Sequence, residues 1–210
     1  MYRLVIFDFD GTVADSFGWF LDVFDEVADR FRFHRLERDR IDHLRGLSTA
    51  ELLRHHGVPL WKVPMIAAHA RRLQGQNLQA ITVFTGMDAV VAQLRGQGIG
   101  LALVTSNAHA NVARILAPET LAAFDQVSCG ASLLGKTAKF RAVLKAAKIA
   151  PADALSIGDE LRDIEAARAT GIAAGAVGWG YALADRLRRE GPDHFFDRPE
   201  DITALFKNRG

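Results

Sequence analysis

Leu4-Val5-Ile6-Phe7-Asp8-Phe9-Asp10-Gly11-Thr12 opens with an uninterrupted apolar run and turns polar at once. A run that short, uniformly apolar and rich in branched and aromatic side chains reads as a strand buried on both faces. Similar runs recur at Gly100-Leu101-Ala102-Leu103-Val104, Ala154-Leu155-Ser156-Ile157 and Ile172-Ala173-Ala174-Gly175-Ala176-Val177, with a weaker one from Phe124 to Cys129. Helical patterns lie between them: Met87 to Gln97, Ala110 to Ala117, Thr137 to Lys148 and Ile164 to Thr170. Buried strands alternating with helices predict an α/β fold, a doubly wound parallel sheet with a Rossmann-like core.

From Ser16 to Ala80 the alternation breaks, because the segment shows helical periodicity and no convincing strand. Phe17, Phe20, Leu21, Phe24, Val27 and Phe31 follow a spacing of three and four, marking an apolar stripe on one long helix. Ser48 followed by Glu51 and Leu52-Leu53 reads as a capping box. Gly57-Val58-Pro59 ends that helix, and Pro64 suits the first turn of the next. The expected organisation is a core formed by residues 1–15 and 81–210, with a small helical cap domain, 16–80, inserted after the first strand.

A chain of 210 residues can bury a sizeable core, and 26 basic against 25 acidic residues leave a net charge of +1. Such balance provides no field for gripping nucleic acid or an anionic membrane. The single cysteine, Cys129, cannot form an internal disulfide. The apolar run at the N-terminus is too short for a signal peptide, and the longest uncharged stretch, Ala169 to Ala184, is too short to span a membrane. The expectation is a soluble cytoplasmic protein, a monomer or homodimer, with no nucleic-acid or membrane partner.

In doubly wound folds ligands bind outside the carboxyl ends of the strands. The residues there are Asp8-Phe9-Asp10-Gly11-Thr12, Thr105-Ser106-Asn107 and Gly158-Asp159-Glu160-Leu161-Arg162-Asp163. Strand pleating would turn Asp8 and Asp10 to one face and Phe7 and Phe9 to the other. Asp159 and Asp163, four apart, would share one side of a helix's first turn. Carboxylates converging in one crevice raise one another's pKa, and a hard divalent cation relieves the conflict. Mg²⁺ fits, because it takes oxygen ligands and keeps waters that a phosphate can displace.

Asp8-x-Asp10-Gly11-Thr12, Thr105 after an apolar strand, Lys136, and Gly158-Asp159-x3-Asp163 resemble, in order, the four motifs of the haloacid dehalogenase-like superfamily. The helical insertion resembles that superfamily's small cap. Phe84-Thr85-Gly86 and Trp179-Gly180-Tyr181 are similar to its phosphoglycolate phosphatase-like branch. The resemblance implies an Mg²⁺-dependent phosphoric monoester hydrolase in which Asp8 attacks phosphorus and becomes an aspartyl phosphate. Asp10 would protonate the leaving oxygen and then activate water. The metal would be held by Asp8, the backbone carbonyl of Asp10 and Asp159, with Asp163 bound directly or through water. Thr105, Ser106, Asn107 and Lys136 would bind the phosphate, and a small metabolite such as phosphoglycolate would be the substrate. Relatives that cleave carbon–halogen bonds lack an acid two residues after the nucleophile, so Asp10 favours phosphoryl transfer. Thr137 and Thr85 stand where the branch often has proline, and Lys139 is the alternative to Lys136.

Three other readings compete. A sugar-phosphate mutase of the beta-phosphoglucomutase kind would use the same catalytic set, and Arg45-Gly46-Leu47-Ser48 resembles the cap loop that selects substrate in both, which makes Arg45 the substrate-binding candidate. Gly130 to Thr137 matches the P-loop pattern GxxxxGK[ST], although it follows a weak strand and leaves Asp8 and Asp10 unexplained. A phospho-acceptor signalling module would use similar groups but carries no helical insertion.

Overall fold

The computed structural model describes residues 2–130 and 135–206. Its central sheet contains β1 (Leu4–Phe7), β4 (Gly100–Val104), β5 (Gln126–Ser128), β6 (Ala154–Gly158), β7 (Ala173–Val177) and β8 (His194–Phe196). The order across the sheet is β5-β4-β1-β6-β7-β8, and every neighbouring pair is parallel. The doubly wound α/β fold expected from the alternation is therefore present. The chain moves outward from β1 through β4 to β5, then returns to β6 on the other side of β1. That reversal opens a crevice at the carboxyl ends of β4, β1 and β6, where ligands bind in such sheets.

Each strand feeds two cores, because successive side chains point to opposite faces. Val5 and Phe7 join Leu101, Leu103, Leu155 and Ile157 beneath α5 (Met87–Gly96), α6 (His109–Ile115) and α11 (Pro199–Ala204). Leu4 and Ile6 join Ala102, Val104 and Ala174 beneath α8 (Gly135–Ala147), α9 (Leu161–Thr170) and α10 (Ala184–Glu190). One short helix, α7 (Pro118–Ala122), links α6 to β5.

Between residues 17 and 76 the described elements are helical: α1 (Phe17–Phe31), α2 (Ile41–Arg45), α3 (Thr49–His55) and α4 (Val63–Gln76), with short 3-10 turns. The capping box forms as read: Ser48 N donates to Glu51 Oε2 at 2.8 Å, and Glu51 N donates to Ser48 Oγ at 3.3 Å. The apolar residues of α1, within that stripe and beside it, divide their work. Trp19, Val27 and Ala28 are buried, while Phe17, Phe20 and Phe24 line a cavity.

Two features were not anticipated. The chain leaves and re-enters the sheet region through a two-residue antiparallel pair, β2 (Ala14–Asp15) with β3 (Thr82–Val83). Strands that short carry no periodic signal. The edge strand β8 is only three residues long. No helix among the described residues is long and apolar enough to cross a membrane.

Candidate functional site

Three strand ends deliver the chemistry. Asp8 follows β1, its N–H donating to Ile157 O at 2.9 Å, and Thr105 follows β4, its N–H donating to Ser128 O at 3.0 Å. Asp159 follows β6 and is fully buried. Asp163 lies in the first turn of α9, where its Oδ2 accepts from Asp159 N at 3.1 Å and Glu160 N at 3.0 Å. These bonds satisfy helix-end N–H groups that have no intrahelical partner. They also bend the carboxylate back toward the strand ends, so that one oxygen each from Asp8, Asp159 and Asp163 lies within 4.8 Å of the others.

Lys136, in the first turn of α8, reaches into this group. Its Nζ is 2.7 Å from Asp8 Oδ2 and also contacts Asp163 Oδ1. Lys139 has a different task, since its Nζ donates to the carbonyls of Thr105 and Gly130, both at 2.5 Å, and of Ser128 at 3.2 Å. It pins the backbone between two strand ends and leaves Lys136 as the lysine facing Asp8.

Asp159 is oriented from both sides. Thr12 Oγ1 donates to its Oδ1 and Tyr181 N to its Oδ2, each at 2.8 Å. Gly11 makes this approach possible: its φ is +78°, and a Cβ there would sit 2.1 Å from Asp159 Oδ2 and 2.6 Å from Tyr181 Cδ1. Asp10 turns its carboxylate elsewhere. Its Oδ1 accepts from Gln74 Nε2 at 2.8 Å and its Oδ2 from Asn107 Nδ2 at 3.1 Å.

The electrostatics follow from burial. Desolvation pushes the carboxyls of Asp8 and Asp159 upward, and Asp159, surrounded by Glu160 and Asp8, goes well above the ordinary range. Burial also raises Asp10, against the hydrogen bond from Gln74. Asp163 moves the other way: burial opposes its ionisation, but Lys136 and Arg162 outweigh that and hold it low. Lys136 stays charged because Asp163 and Asp8 overcome its own desolvation.

A cavity of about 570 Å³ lies over this group, lined by Asp8, Asp10, Thr105, Ser106, Lys136 and Arg162 among others. Thr105 is buried and its Oγ1 accepts from Asn107 N at 2.9 Å, whereas Ser106 is exposed. The Asn107 side chain is directed to Asp10. Arg45 lies apart from Asp8, in the wall of a second cavity of about 290 Å³ with Phe17, Phe20, Phe24, Leu47 and Tyr181. Its Nε donates to Tyr181 O at 2.9 Å and its Nη2 to Gly180 O at 3.0 Å, and its guanidinium carbon lies 5.0 Å from the Phe17 ring centroid. Residues 131–134 of the P-loop pattern lie outside the described residues. The lysine of that pattern, Lys136, is taken up by Asp8 and Asp163, and β5, the strand before it, is at the sheet's edge.

The haloacid dehalogenase-like hydrolase family model matches residues 5–177, from β1 through β7. The chain belongs to the haloacid dehalogenase-like hydrolase family. It is 30% identical over 201 residues to a phosphoglycolate phosphatase of Synechococcus elongatus, covering 95% of both chains. It is also 31% identical over 187 residues to the tyrosine-protein kinase PtkA of Mycobacterium tuberculosis, covering 87% of this chain and 64% of that protein. Among solved structures, a haloacid dehalogenase-like family hydrolase from Streptococcus pneumoniae superposes with a TM-score of 0.80 at 20% identity, covering 98% of each chain. The family resemblance read from the motifs, and the hydrolase it implied, are thus met.

For this haloacid dehalogenase-like hydrolase, the spacing of motifs located Asp8, Asp159, Asp163 and Lys136 before any coordinates. The motifs included Thr12 and Trp179-Gly180-Tyr181 but gave neither Thr12 nor Tyr181 a task at the site. Gln74 was passed over, because it reaches the site by tertiary docking and no local pattern marks it.

Proposed function

We propose that this protein is an Mg²⁺-dependent phosphatase that hydrolyses a small phosphate monoester through an aspartyl phosphate on Asp8. The observation that carries this reading is the gathering of Asp8, Asp159 and Asp163 around Lys136, with Asp10 two residues from Asp8. A metal fits these residues. The donors are all carboxylate oxygens, and burial raises Asp8 and Asp159 despite the ammonium of Lys136 beside Asp8, so negative charge in this buried place lacks full compensation. Asp8, Asp159, Asp163 and the backbone carbonyl of Asp10 would hold the cation. When bound, it would offset the charge of the carboxylates and of the phosphoryl oxygens.

In the first step a carboxylate oxygen of Asp8 attacks phosphorus, and the bond from phosphorus to the ester oxygen breaks as Asp10 gives that oxygen a proton. In the second step Asp10 takes a proton from water, whose oxygen attacks phosphorus and breaks the bond to Asp8, releasing inorganic phosphate. A nucleophile and a separate acid/base are what such a two-step path requires. Lys136 works against the rise that burial imposes on Asp8 and would stabilise charge on the phosphoryl group, while the Thr105 hydroxyl and the backbone N–H of Ser106 would hold its oxygens.

Residues 16–80 act as a cap over a core of 1–15 and 81–210, and closure would exclude bulk water. The aromatic cavity would receive part of the leaving group, with Arg45 in its wall. Phosphoglycolate is the first substrate to test, on the strength of the relative's name. The sugar-phosphate mutase reading is the alternative, since Arg45, Ser48, Thr49, His56 and Glu160 line the same cavity beside the aromatic rings. The lone Cys129 and the balanced charge agree with a cytoplasmic enzyme acting on a diffusible metabolite.

The experiment is a panel of phosphate monoesters, including phosphoglycolate and glucose 1-phosphate, with Mg²⁺ or with chelator. Phosphate release that needs Mg²⁺ is expected. Conversion of glucose 1-phosphate to the 6-phosphate, or release that persists in chelator, would overturn the reading.

A further inference from the structure

Gln74 is a polar side chain in the wrong place for a surface helix: it sits near the C-terminal end of α4, only 4% exposed, with its amide aimed at the core. Its Nε2 donates to Asp10 Oδ1 at 2.8 Å. Asn107 takes the other carboxylate oxygen, its Nδ2 lying 3.1 Å from Oδ2. Asn107 is itself fixed, because its Oδ1 accepts from Ala108 N at 2.8 Å and from Asn111 Nδ2 at 3.0 Å. Asn111 Nδ2 also donates to Arg71 O of α4 at 3.0 Å, which closes a ring from α4 through α6 and back to Asp10.

The ring depends on close packing of the two helices. A Cβ on Gly75 would lie 2.8 Å from Asn111 Oδ1, so glycine lets α4 settle against α6 at the position beside Gln74. Arg114 Nη1 adds a bond to Gly75 O at 3.3 Å. A buried amide with no such partner would be costly, so this arrangement holds Gln74 and the Asp10 carboxylate to one geometry.

We propose that Gln74 is a positioning residue for Asp10: an amide contributed by the helical insertion that, with Asn107, fixes the carboxylate so that its proton is aimed at the leaving oxygen. The inference rests on the reading of Asp10 as the acid/base. The Ser16 side chain also hydrogen-bonds this carboxylate, and Asn107 Nδ2 reaches its Oδ1 as well at 3.4 Å. Gln74 contributes its share of that alignment only while α4 is docked on the core.

A positioned acid matters in proportion to how poor the leaving group is, which separates this role from a merely structural one. The test replaces Gln74 with Met, which keeps the volume and removes the donor, and measures kcat/KM on two esters. That ratio reports the step in which the ester bond breaks, before water enters. For an alkyl ester such as phosphoglycolate, a fall of about tenfold to a hundredfold is expected. For p-nitrophenyl phosphate, whose leaving group needs little protonation, less than about a threefold change is expected, which also reports an intact fold. An equal fall on both esters, or no fall on either, would overturn the proposal. A wild-type enzyme inactive on both esters, or an Asp8→Asn variant as active as wild type, would instead bring down the underlying reading.

Discussion

Lys136 Nζ lies 2.7 Å from Asp8 Oδ2 and at the same time meets Asp163 Oδ1, so one ammonium from the start of α8 joins the carboxylate after β1 to the first turn of α9. All three side chains are largely out of water, with exposures of 15% for Lys136, 8% for Asp8 and 2% for Asp163. The lysine therefore offsets charge on both buried carboxylates and works against the rise that burial imposes on Asp8.

Removing that ammonium leaves both carboxylates uncompensated. Lys136→Met is expected to destabilise the metal-free protein at neutral pH by about 3 kcal/mol, the scale for breaking a buried pair. Urea denaturation measures it. A loss below about 0.5 kcal/mol, the size of an exposed pair, would show that the bridge carries little.

The pH dependence of stability has a definite sign. Burial raises the folded-state carboxyls of Asp8 and Asp159 above their unfolded values, so the folded protein binds more protons in that interval. In metal-free protein their contribution is complete below the unfolded values and is lost as pH rises through the folded ones. Asp163, held low, contributes the opposite way and loses its part only as pH falls through its depressed value. Mg²⁺ needs the ionised forms, so its thermal stabilisation should grow as pH rises through the raised values of Asp8 and Asp159. Differential scanning of the protein with and without Mg²⁺ would read it, and a shift that is flat with pH would contradict the assignment.

Asp159→Asn separates the metal from the fold. The amide can accept from Tyr181 N and donate to Thr12 Oγ1, so the local bonds survive while a buried charge disappears. Metal-free stability should hold or rise by about 1 kcal/mol, and the Mg²⁺-induced shift in Tm should vanish. A variant that still responds to Mg²⁺ as the wild type does would remove Asp159 from the ligand set.

Gly11→Ala attacks the same carboxylate through the backbone. Its φ of +78° disfavours any Cβ, and the nearest atoms, Asp159 Oδ2 at 2.1 Å and Tyr181 Cδ1 at 2.6 Å, would have to move. A stability loss of about 2 kcal/mol and weaker Mg²⁺ binding by about tenfold or more are expected together. Isothermal titration would check the second effect, and unchanged Mg²⁺ affinity would mean that Asp159 does not depend on this turn.

The sequence disclosed what depends on local pattern. Apolar runs located β1, β4, β6 and β7, because strands buried on both faces have few polar residues to hide them. The Asp8, Thr105 and Asp159 positions followed, since each is the first polar residue after such a run or close to it. The choice of Lys136 over Lys139 could not be settled by spacing alone. Lys139 ended against three carbonyls because it lies three residues further along α8, a turn away from Asp8. Arg45 stood out through the resemblance of Arg45-Gly46-Leu47-Ser48 to a cap loop, and it lies at the end of α2, but its partners were not legible: Gly180 and Tyr181 belong to a distant segment, and carbonyl acceptors leave no mark in a sequence. Gln74 was hidden for the same reason, its burial being decided by where α4 lands rather than by the period of α4.

The central claim, that Asp8 carries the phosphoryl group, is open to direct capture. The enzyme would be mixed with a monoester it hydrolyses in the presence of Mg²⁺, quenched in acid during steady turnover, reduced with borohydride and mapped by mass spectrometry. The expected result is homoserine in place of aspartate at position 8, dependent on substrate and confined to that residue. An unmodified Asp8 under conditions of continuing phosphate release, or modification at another carboxylate, would contradict the claim.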